Sequence, residues 1–314
     1  MRELLALLLM FFFCEAASAS KVKDLSDKWS FRIGTSLPSL PLKLQGADDS
    51  QQVDYEQNGT NKFGAGIDHS WWGFYLSLED TGAELDESLY GTTDYFDFQL
   101  HTYLGHWGVD LYWQDFKGYY SSSPSVTSGN PLLRPDLETE FIGANIFYVI
   151  HPDEMSLVAT GTGTAMQTES GGSWMYYLGG ARQRILSDAV IAPAGFENEY
   201  GRIGNMQNAS FYTFVVGGGY GYNFVLGGPW YFHISAQGGL GPQRQVYATR
   251  DFGDFDTWMA VFKGTSRAAI GFSGEDWFGA VTFVGDTTTF TIDATLLDFT
   301  SVQAFAYIGI RYDL

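Results

Sequence analysis

Hydrophobic and polar residues alternate strictly over residues 94–120. A period of two is that of a β-strand, and a tight Gly105-His106-Trp107-Gly108 turn divides the stretch into two runs. One face is wholly apolar and carries Phe96, Phe98, Leu100, Val109, Leu111 and Trp113. The opposite face carries the polar residues Asp97, His101, Asp110 and Gln114. The pattern predicts an antiparallel hairpin with one apolar face. Strands of a soluble β-sandwich show the same alternation of apolar and polar residues. The rest of the chain must therefore decide whether the apolar face contacts a protein core or lipid.

Similar alternating segments recur to the end of the chain. Strands are predicted at residues 28–35, 63–70, 72–78, 137–149, 155–165, 174–179, 211–226, 230–240, 266–274, 278–285, 290–297 and 302–312. A long surface loop is predicted at 38–61, and short turns alternate with longer loops. We expect about 12 strands, within a range of 10–14. Residues 167–208 offer only one obvious strand, so part of that region is expected to fold into the lumen.

The first residues have the layout of a secretory signal peptide. Arg2 precedes a Leu- and Phe-rich stretch, and Ala17-Ser18-Ala19 supplies the small residues of a cleavage site. We therefore predict a signal peptide at 1–19 and a single domain at 20–314. Cys14 is the only cysteine, so the exported chain has no disulfide or thiolate chemistry.

No other apolar run approaches the roughly 20 residues that a membrane-spanning helix needs. A chain that spans a bilayer without such helices must form a closed barrel. The 25 Phe, 19 Tyr and 9 Trp favour strands anchored at membrane interfaces. The net charge is −19, and it becomes −18 once Arg2, Glu3 and Glu15 are removed (−19 − 1 + 2). Such a surface repels nucleic acid.

Four short segments, in this order along the chain, carry a family resemblance. They are Phe116-Lys117-Gly118-Tyr119-Tyr120, which ends the 94–120 hairpin, Leu133-Arg134-Pro135-Asp136-Leu137, Ser170-Gly171-Gly172-Ser173-Trp174 and Ile308-Gly309-Ile310-Arg311-Tyr312. With them the chain resembles an outer-membrane barrel family of Gram-negative bacteria known only as domain of unknown function 4421. Gly171 departs from the Ser or Ala expected there. The resemblance implies location and architecture, and it carries no catalytic residues.

The polar face of the 94–120 hairpin is the main candidate site. Asp97, His101, Asp110 and Gln114 are predicted to meet across two strands in the lumen, where they could bind an ion or relay protons. The plainer interpretation, which we favour, is that barrel interiors hold hydrogen-bonded polar groups for packing. Arg182 and Arg184 are candidate basic residues of the lumen; pairing with acidic neighbours is the simpler role for them.

Other chemistry finds little support in the sequence. Five scattered His residues without short spacing predict no metal site, and no cofactor is expected. A barrel lipase needs Ser and His on a lipid-facing surface, whereas alternation places His233 and Ser235 on the polar side. No catalytic residue is therefore predicted.

The whole pattern predicts an all-β, antiparallel transmembrane β-barrel in the outer membrane of a Gram-negative bacterium. Its expected role is structural, or porin-like passage of a small solute. A membrane-embedded lipid hydrolase and a soluble secreted carbohydrate-binding β-sandwich are the alternatives. The expected partners are outer-membrane lipid, lipopolysaccharide and the barrel-assembly machinery.

Overall fold

The computed structural model describes residues 20–46, 48, 51–59, 61–70, 72–79, 85–125, 127, 129–293 and 295–313. The signal peptide predicted at 1–19 lies outside these residues and stays a prediction. The described part contains sixteen strands and a few single helical turns. The strands are β1 Val22–Asp24, β2 Trp29–Ser39, β3 Leu42–Gln45, β4 Gln52–Tyr55, β5 Lys62–His69, β6 Trp72–Glu79, β7 Asp94–Leu104, β8 Trp107–Ser121, β9 Leu132–Val149, β10 Ala165–Gln167, β11 Gly171–Leu186, β12 Met206–Gly227, β13 Trp230–Thr249, β14 Gly253–Ser273, β15 Trp277–Ile292 and β16 Thr295–Tyr312. Single helical turns lie at Glu87–Tyr90, Val158–Gly161, Glu197–Tyr200 and Gly201–Gly204.

Twelve of the described strands form the wall. They follow one antiparallel path in the order β6-β5-β2-β16-β15-β14-β13-β12-β11-β9-β8-β7. Chain neighbours are mostly sheet neighbours, as expected for hairpins joined in series. The predicted fold class is confirmed; the main sheet path has twelve strands, and the described strands β1, β3, β4 and β10 lie off it.

The outer face of the wall is apolar because side chains alternate along each strand. On the 94–120 hairpin Phe96, Phe98, Leu111 and Trp113 are exposed, whereas Asp110 and Gln114 are fully buried. Leu100 is also exposed, and Val109 shares this outer face by alternation. Aromatic residues ring the outer face near one end of the barrel: Trp107, Trp174, Trp230, Trp277 and Tyr312. Such an aromatic girdle marks a membrane interface.

The two ends of the barrel differ. At the turn rim, which carries the girdle, residues 105–106, 228–229 and 274–276 join neighbouring strands directly. At the opposite end, the loop rim, the longer connections 122–131 and 187–205 leave the wall. Within the described residues, no helix has the length and hydrophobicity to cross a membrane.

Several of the predicted elements are wrong. Residues 155–165 form no wall strand; they turn into the lumen, and β9 pairs with β11 instead. Residues 290–297 contain the turn between β15 and β16, and the loop predicted at 38–61 contains β3 and β4. An apolar segment that fills a barrel has the composition of a strand that faces lipid. Composition therefore does not separate the two, and tertiary packing decides.

The lumen near the loop rim is filled by a hydrophobic core. Fully buried members include Tyr55 of β4, Phe116 of β8, Phe211 of β12 and Phe299 of β16. The loop at 187–205 adds Tyr200 and Ile203 to the same core. Near the turn rim an inner segment, residues 152–170, enters the lumen, and its β10 pairs with β1. Both ends of the lumen are therefore occupied by protein.

The pairing that closes the wall is present toward the loop rim and differs lower in the barrel. Toward the loop rim, β3 pairs with β16 and with β4, and Glu56 after β4 exchanges two backbone hydrogen bonds of 2.8 and 2.9 Å with Tyr120 of β8. Lower down, β6 and β7 are the two ends of the described sheet path and have no ladder between them. We call the line between these two strands the seam.

Replacing Leu111 by Arg should prevent assembly into the membrane. A positive charge on the lipid face near mid-bilayer costs about 2–4 kcal/mol. The matched control Leu111→Phe keeps the surface apolar. The measurement is heat-modifiable gel mobility of the outer-membrane fraction, with Leu100→Arg as a second test. Normal assembly of both Arg variants would contradict the lipid-facing assignment.

Candidate functional site in the barrel lumen

The four polar residues predicted from the first hairpin do meet in the lumen, as two cross-strand pairs. Register places Asp97 opposite Gln114 and His101 opposite Asp110. Gln114 donates a 2.8 Å hydrogen bond from Nε2 to Asp97 Oδ1, and His101 Nδ1 lies 2.8 Å from Asp110 Oδ1. Strand alternation thus brings the cluster together, while its functional role stays a prediction.

Asp110 is the centre of a contact that crosses the lumen. Arg267 of β14, on the opposite wall, donates from Nη2 to Asp110 Oδ2. Tyr103 and Tyr112 donate to the same carboxylate at 3.1 and 3.2 Å. The Arg267 guanidinium also lies 4.5 Å from the centre of the Phe147 ring. A fully buried carboxylate needs this many partners to remain ionised.

A second network crosses the lumen closer to the loop rim. Lys263 of β14 contacts Asp286 of β15 and donates at 3.0 Å to Asn145 Oδ1 and at 3.2 Å to the Tyr177 hydroxyl. Asn145 donates at 2.7 Å to Asp286 Oδ2. The pair is almost completely removed from solvent, with side-chain exposures of 1% for Lys263 and 2% for Asp286.

Two further ion pairs lie close to the seam. Arg32 of β2 is 3.2 Å from Asp68 of β5. Lys62 of β5 is 3.4 Å from Asp97 of β7, so this pair crosses the seam on its lumen side. The Lys62 ammonium also lies 4.6 Å from the centre of the Tyr95 ring.

These four pairs balance in charge within the described lumen. The four cations are those of Arg32, Lys62, Lys263 and Arg267, and their carboxylate partners are, in turn, Asp68, Asp97, Asp286 and Asp110. Sequence reasoning missed six of these eight residues. The signal was present, because Lys263 and Arg267 alternate with outward Phe262 and Ile270. The predicted strand began only at residue 266, so it left out Lys263, and the inward Arg267 within it was not singled out.

A cavity of about 680 Å³ lies beside these pairs. Its wall includes Arg32, Asp68, His101, His233 and Arg267 on the lumen side. It also includes Leu76, Phe96, Phe98 and Leu100, the apolar outer residues on the two sides of the seam. Several buried polar atoms of lining residues have no partner among the protein atoms: Arg32 Nε, Asp68 Oδ2, Gln99 Oε1, and Nε and Nη1 of Arg267. The lining of the cavity therefore combines cationic and anionic side chains.

Arg182 and Arg184 are not lumen residues, and that prediction is wrong. They share the outer face of β11 with exposed Trp174 and Tyr176, while the alternate residues Gln183 and Ile185 are buried. Arg182 Nη1 lies 3.1 Å from Glu140 Oε1. The prediction failed because the strand is longer than expected and its inward positions fall on odd residue numbers.

The loop rim carries an ion pair that ties the 187–205 loop to the wall. Arg202 donates from Nε to both carboxylate oxygens of Asp293, at 3.1 and 2.9 Å. Hydrogen bonding from this guanidinium lowers the pKa of Asp293 below its usual value. The attraction is therefore present above the ordinary carboxyl pKa and is lost only as the pH falls through the lowered one.

No group of three or more His, Cys, Asp or Glu side chains in the described residues has the arrangement of a metal site. His69 stacks on Trp29 with ring centres 4.4 Å apart, and His106 stacks on Tyr148 at 5.0 Å. Both lie at the turn rim, so packing at the membrane interface accounts for them.

The antiparallel wall, the apolar exterior with its aromatic girdle and the polar lumen define an outer-membrane β-barrel. The chain belongs to the family described as Domain of unknown function (DUF4421), whose model matches residues 22–312. The predicted family is confirmed, and the soluble β-sandwich alternative is excluded.

Solved structures with weak overall similarity are outer-membrane proteins. The outer membrane protease OmpT of Escherichia coli is 6% identical, with 92% of this chain and 98% of that chain covered and a TM-score of 0.42. The toluene transporter TodX of P. putida is 7% identical, with 94% of each chain covered and a TM-score of 0.25. OmpT of Vibrio cholerae is 8% identical, with coverages of 95% and 99% and a TM-score of 0.29. No curated protein matches the chain.

Replacing Lys263 by Met should destabilise the barrel strongly. The change leaves Asp286 buried without its cation, and breaking a buried ion pair in this way costs about 3–5 kcal/mol. The double variant Lys263→Met/Asp286→Leu removes both charges and should recover most of that loss. Urea unfolding of the refolded barrel in lipid vesicles measures the difference. Equal stability of the single variant and the parent would contradict the pairing.

Proposed function

We propose that this barrel mediates gated passage of a small polar solute, with the mid-lumen cavity as the solute's binding place. The single observation that carries the proposal is the cavity of about 680 Å³, whose lining residues include Arg32, Arg267, Asp68 and Gln99, each with a buried polar atom that has no protein partner. The volume lies in the range of small-molecule sites, about 300–1,000 Å³. A purely structural barrel would have no need to keep these buried groups beside an open space.

A gated form is favoured over an open porin because both ends of the lumen are filled. Wall residues donate to the backbone of the inner segment at two carbonyls. Arg311 donates from Nε to the Gly163 carbonyl, and Ser30 Oγ and Arg32 Nη1 donate to the Gly163 and Gly161 carbonyls, each at 3.0 Å. Release of these hydrogen bonds would loosen this part of the segment, which its ladder with β1 also holds.

The setting of the proposal is the outer membrane of a Gram-negative bacterium, after export directed by the predicted signal peptide. The lipid of that membrane, lipopolysaccharide on its outer leaflet and the barrel-assembly machinery are the proposed partners. The aromatic girdle and the apolar outer face supply the surface for lipid.

Weakening the hold on the inner segment should raise conductance. In a planar bilayer, the parent chain is expected to stay closed with rare small openings. Arg311→Gln loses the guanidinium contacts to Gly163 and Ser273 and should open often enough to give a measurable mean current. The matched control Arg244→Gln loses only an outer-face ion pair with Asp256 and should behave as the parent.

Two results would overturn the proposal. A large steady current from the parent would indicate an open pore rather than a gated one. Silence of both the parent and Arg311→Gln, with heat-modifiable mobility confirming that each is folded, would indicate a structural role.

A further inference from the structure

His233 and Ser235 lie on the inner face of β13, two residues apart, and contact each other. Nε2 of His233 is 3.1 Å from Oγ of Ser235. On the neighbouring strand, Asn223 stands directly opposite His233 in the register, and its Oδ1 is 2.6 Å from His233 Nδ1. Ser, His and Asn are therefore connected in a line, in the order of a nucleophile, a base and an orienting group.

The hydrogen bonds around Asn223 determine which ring nitrogen carries the proton. Asn223 donates from Nδ2 to the Ser156 carbonyl at 3.0 Å and to Gln167 Oε1 at 2.8 Å. Its Oδ1 is thereby left to face His233, and because a carbonyl oxygen only accepts, Nδ1 of His233 carries the hydrogen. Nε2 then has a free lone pair directed at the Ser235 hydroxyl. This is the tautomer that a general base needs.

A donor for a developing negative charge stands next to the serine. Arg267 of β14 is directly opposite Ser235 in the register and faces the same side of the sheet. Its Nε and Nη1 have no partner among the protein atoms, although the residue is only 7% exposed. Opposed residues in an antiparallel pair have Cβ atoms about 4.5–5.5 Å apart. Arg267 therefore leaves the wall beside Ser235, and its partnerless N–H groups are of the kind that stabilises an oxyanion.

The mid-lumen cavity reaches this site from one side. Both His233 and Arg267 belong to its wall, as does Leu157 of the inner segment. Ser235 itself is only 2% exposed. It lies beside Gly221: a Cβ added to that glycine would come within 3.1 Å of the Ser235 Cβ and within 3.0 Å of the Met155 Cε. Met155 of the inner segment thus lies near the serine at Gly221, and a shift of that segment would change the access of a substrate in the cavity to Ser235.

From this arrangement we propose that Ser235, His233 and Asn223 form a lumen-facing hydrolytic site for small carboxylic esters, with Arg267 as the oxyanion donor. Ser235 Oγ attacks the ester carbonyl carbon while its proton passes to His233 Nε2, and the carbonyl oxygen becomes an oxyanion beside Arg267. The C–O bond to the alcohol breaks, and the alkoxide leaves with the proton from His233. Water then attacks the acyl-serine, with His233 again taking a proton, and releases the carboxylic acid and Ser235.

This inference does not depend on solute passage. It needs only that a small ester reach the cavity, whether or not a solute crosses the barrel. It also differs from the lipid-facing hydrolase considered from the sequence, because all three residues lie on the inner wall and are buried. A buried polar network of the ordinary kind would leave the serine hydroxyl unreactive, so covalent chemistry distinguishes the two roles.

The test is labelling of the refolded full-length barrel with a small fluorophosphonate, followed by mass-spectrometric mapping of the modified serine. We expect a label on Ser235 in the parent, and faster labelling in Arg311→Gln, where the inner segment is less firmly held. Ser301 is the matched control within the same chain: it is a buried lumen serine that donates to Gln114 at 2.6 Å and has no histidine partner. It should remain unlabelled.

Two variants make the role of each group measurable. Ser235→Ala should abolish the label, and His233→Gln should slow labelling by about 100-fold or more, the usual range for loss of a general base. Hydrolysis of p-nitrophenyl butyrate should fall in parallel. Heat-modifiable mobility and urea unfolding confirm that both variants fold. If Ser235 remains unlabelled in the parent and in folded Arg311→Gln, or is labelled no faster than Ser301, the proposed site is overturned.

Discussion

The constraint on which this molecule depends is that every backbone N–H and C=O in a bilayer must be hydrogen-bonded within the protein. The chain meets it with a curled antiparallel sheet whose described strands pair with their neighbours around the wall except across the seam. The sheet then imposes a period of two on every wall strand. Outward positions become lipid-facing and inward positions must fill the lumen. The apolar belt, the aromatic girdle and the polar interior all follow from that geometry.

The burial of charged side chains in the lumen adds a second constraint. Charges removed from water are costly unless they are paired and hydrogen-bonded. The lumen meets this with paired charges: Arg267 of β14 pairs with Asp110 of β8 across the lumen, and Lys263 pairs with Asp286 of the adjacent β15. Lys263 also donates to Asn145 of the distant β9. These contacts connect opposite walls and surround a cavity in which some donors, including Arg267 Nε, have no protein partner. Stabilisation and the candidate chemistry therefore share the same residues.

The inner segment connects the fold to both functional proposals. It lies at the turn-rim end of the lumen, supplies the Ser156 carbonyl that orients Asn223, and brings Met155 near Ser235. Its position depends on the ladder between β1 and β10 and on hydrogen bonds that include those from Arg32 and Arg311. A movement of this one segment would change access to the lumen and to the serine together, so the two activities would respond to the same structural change.

The sequence by itself determined the class of fold and the polar face that carries Asp97, His101, Asp110 and Gln114, because period-two alternation and a tight turn are local properties of the chain. Only the tertiary structure decided that residues 155–165 enter the lumen, that Arg182 and Arg184 face outward, and that Arg267 reaches Asp110. Those outcomes depend on strand length, register and contacts between residues far apart in the chain. Local patterns carry no information about which distant partner an inward side chain will meet across the barrel.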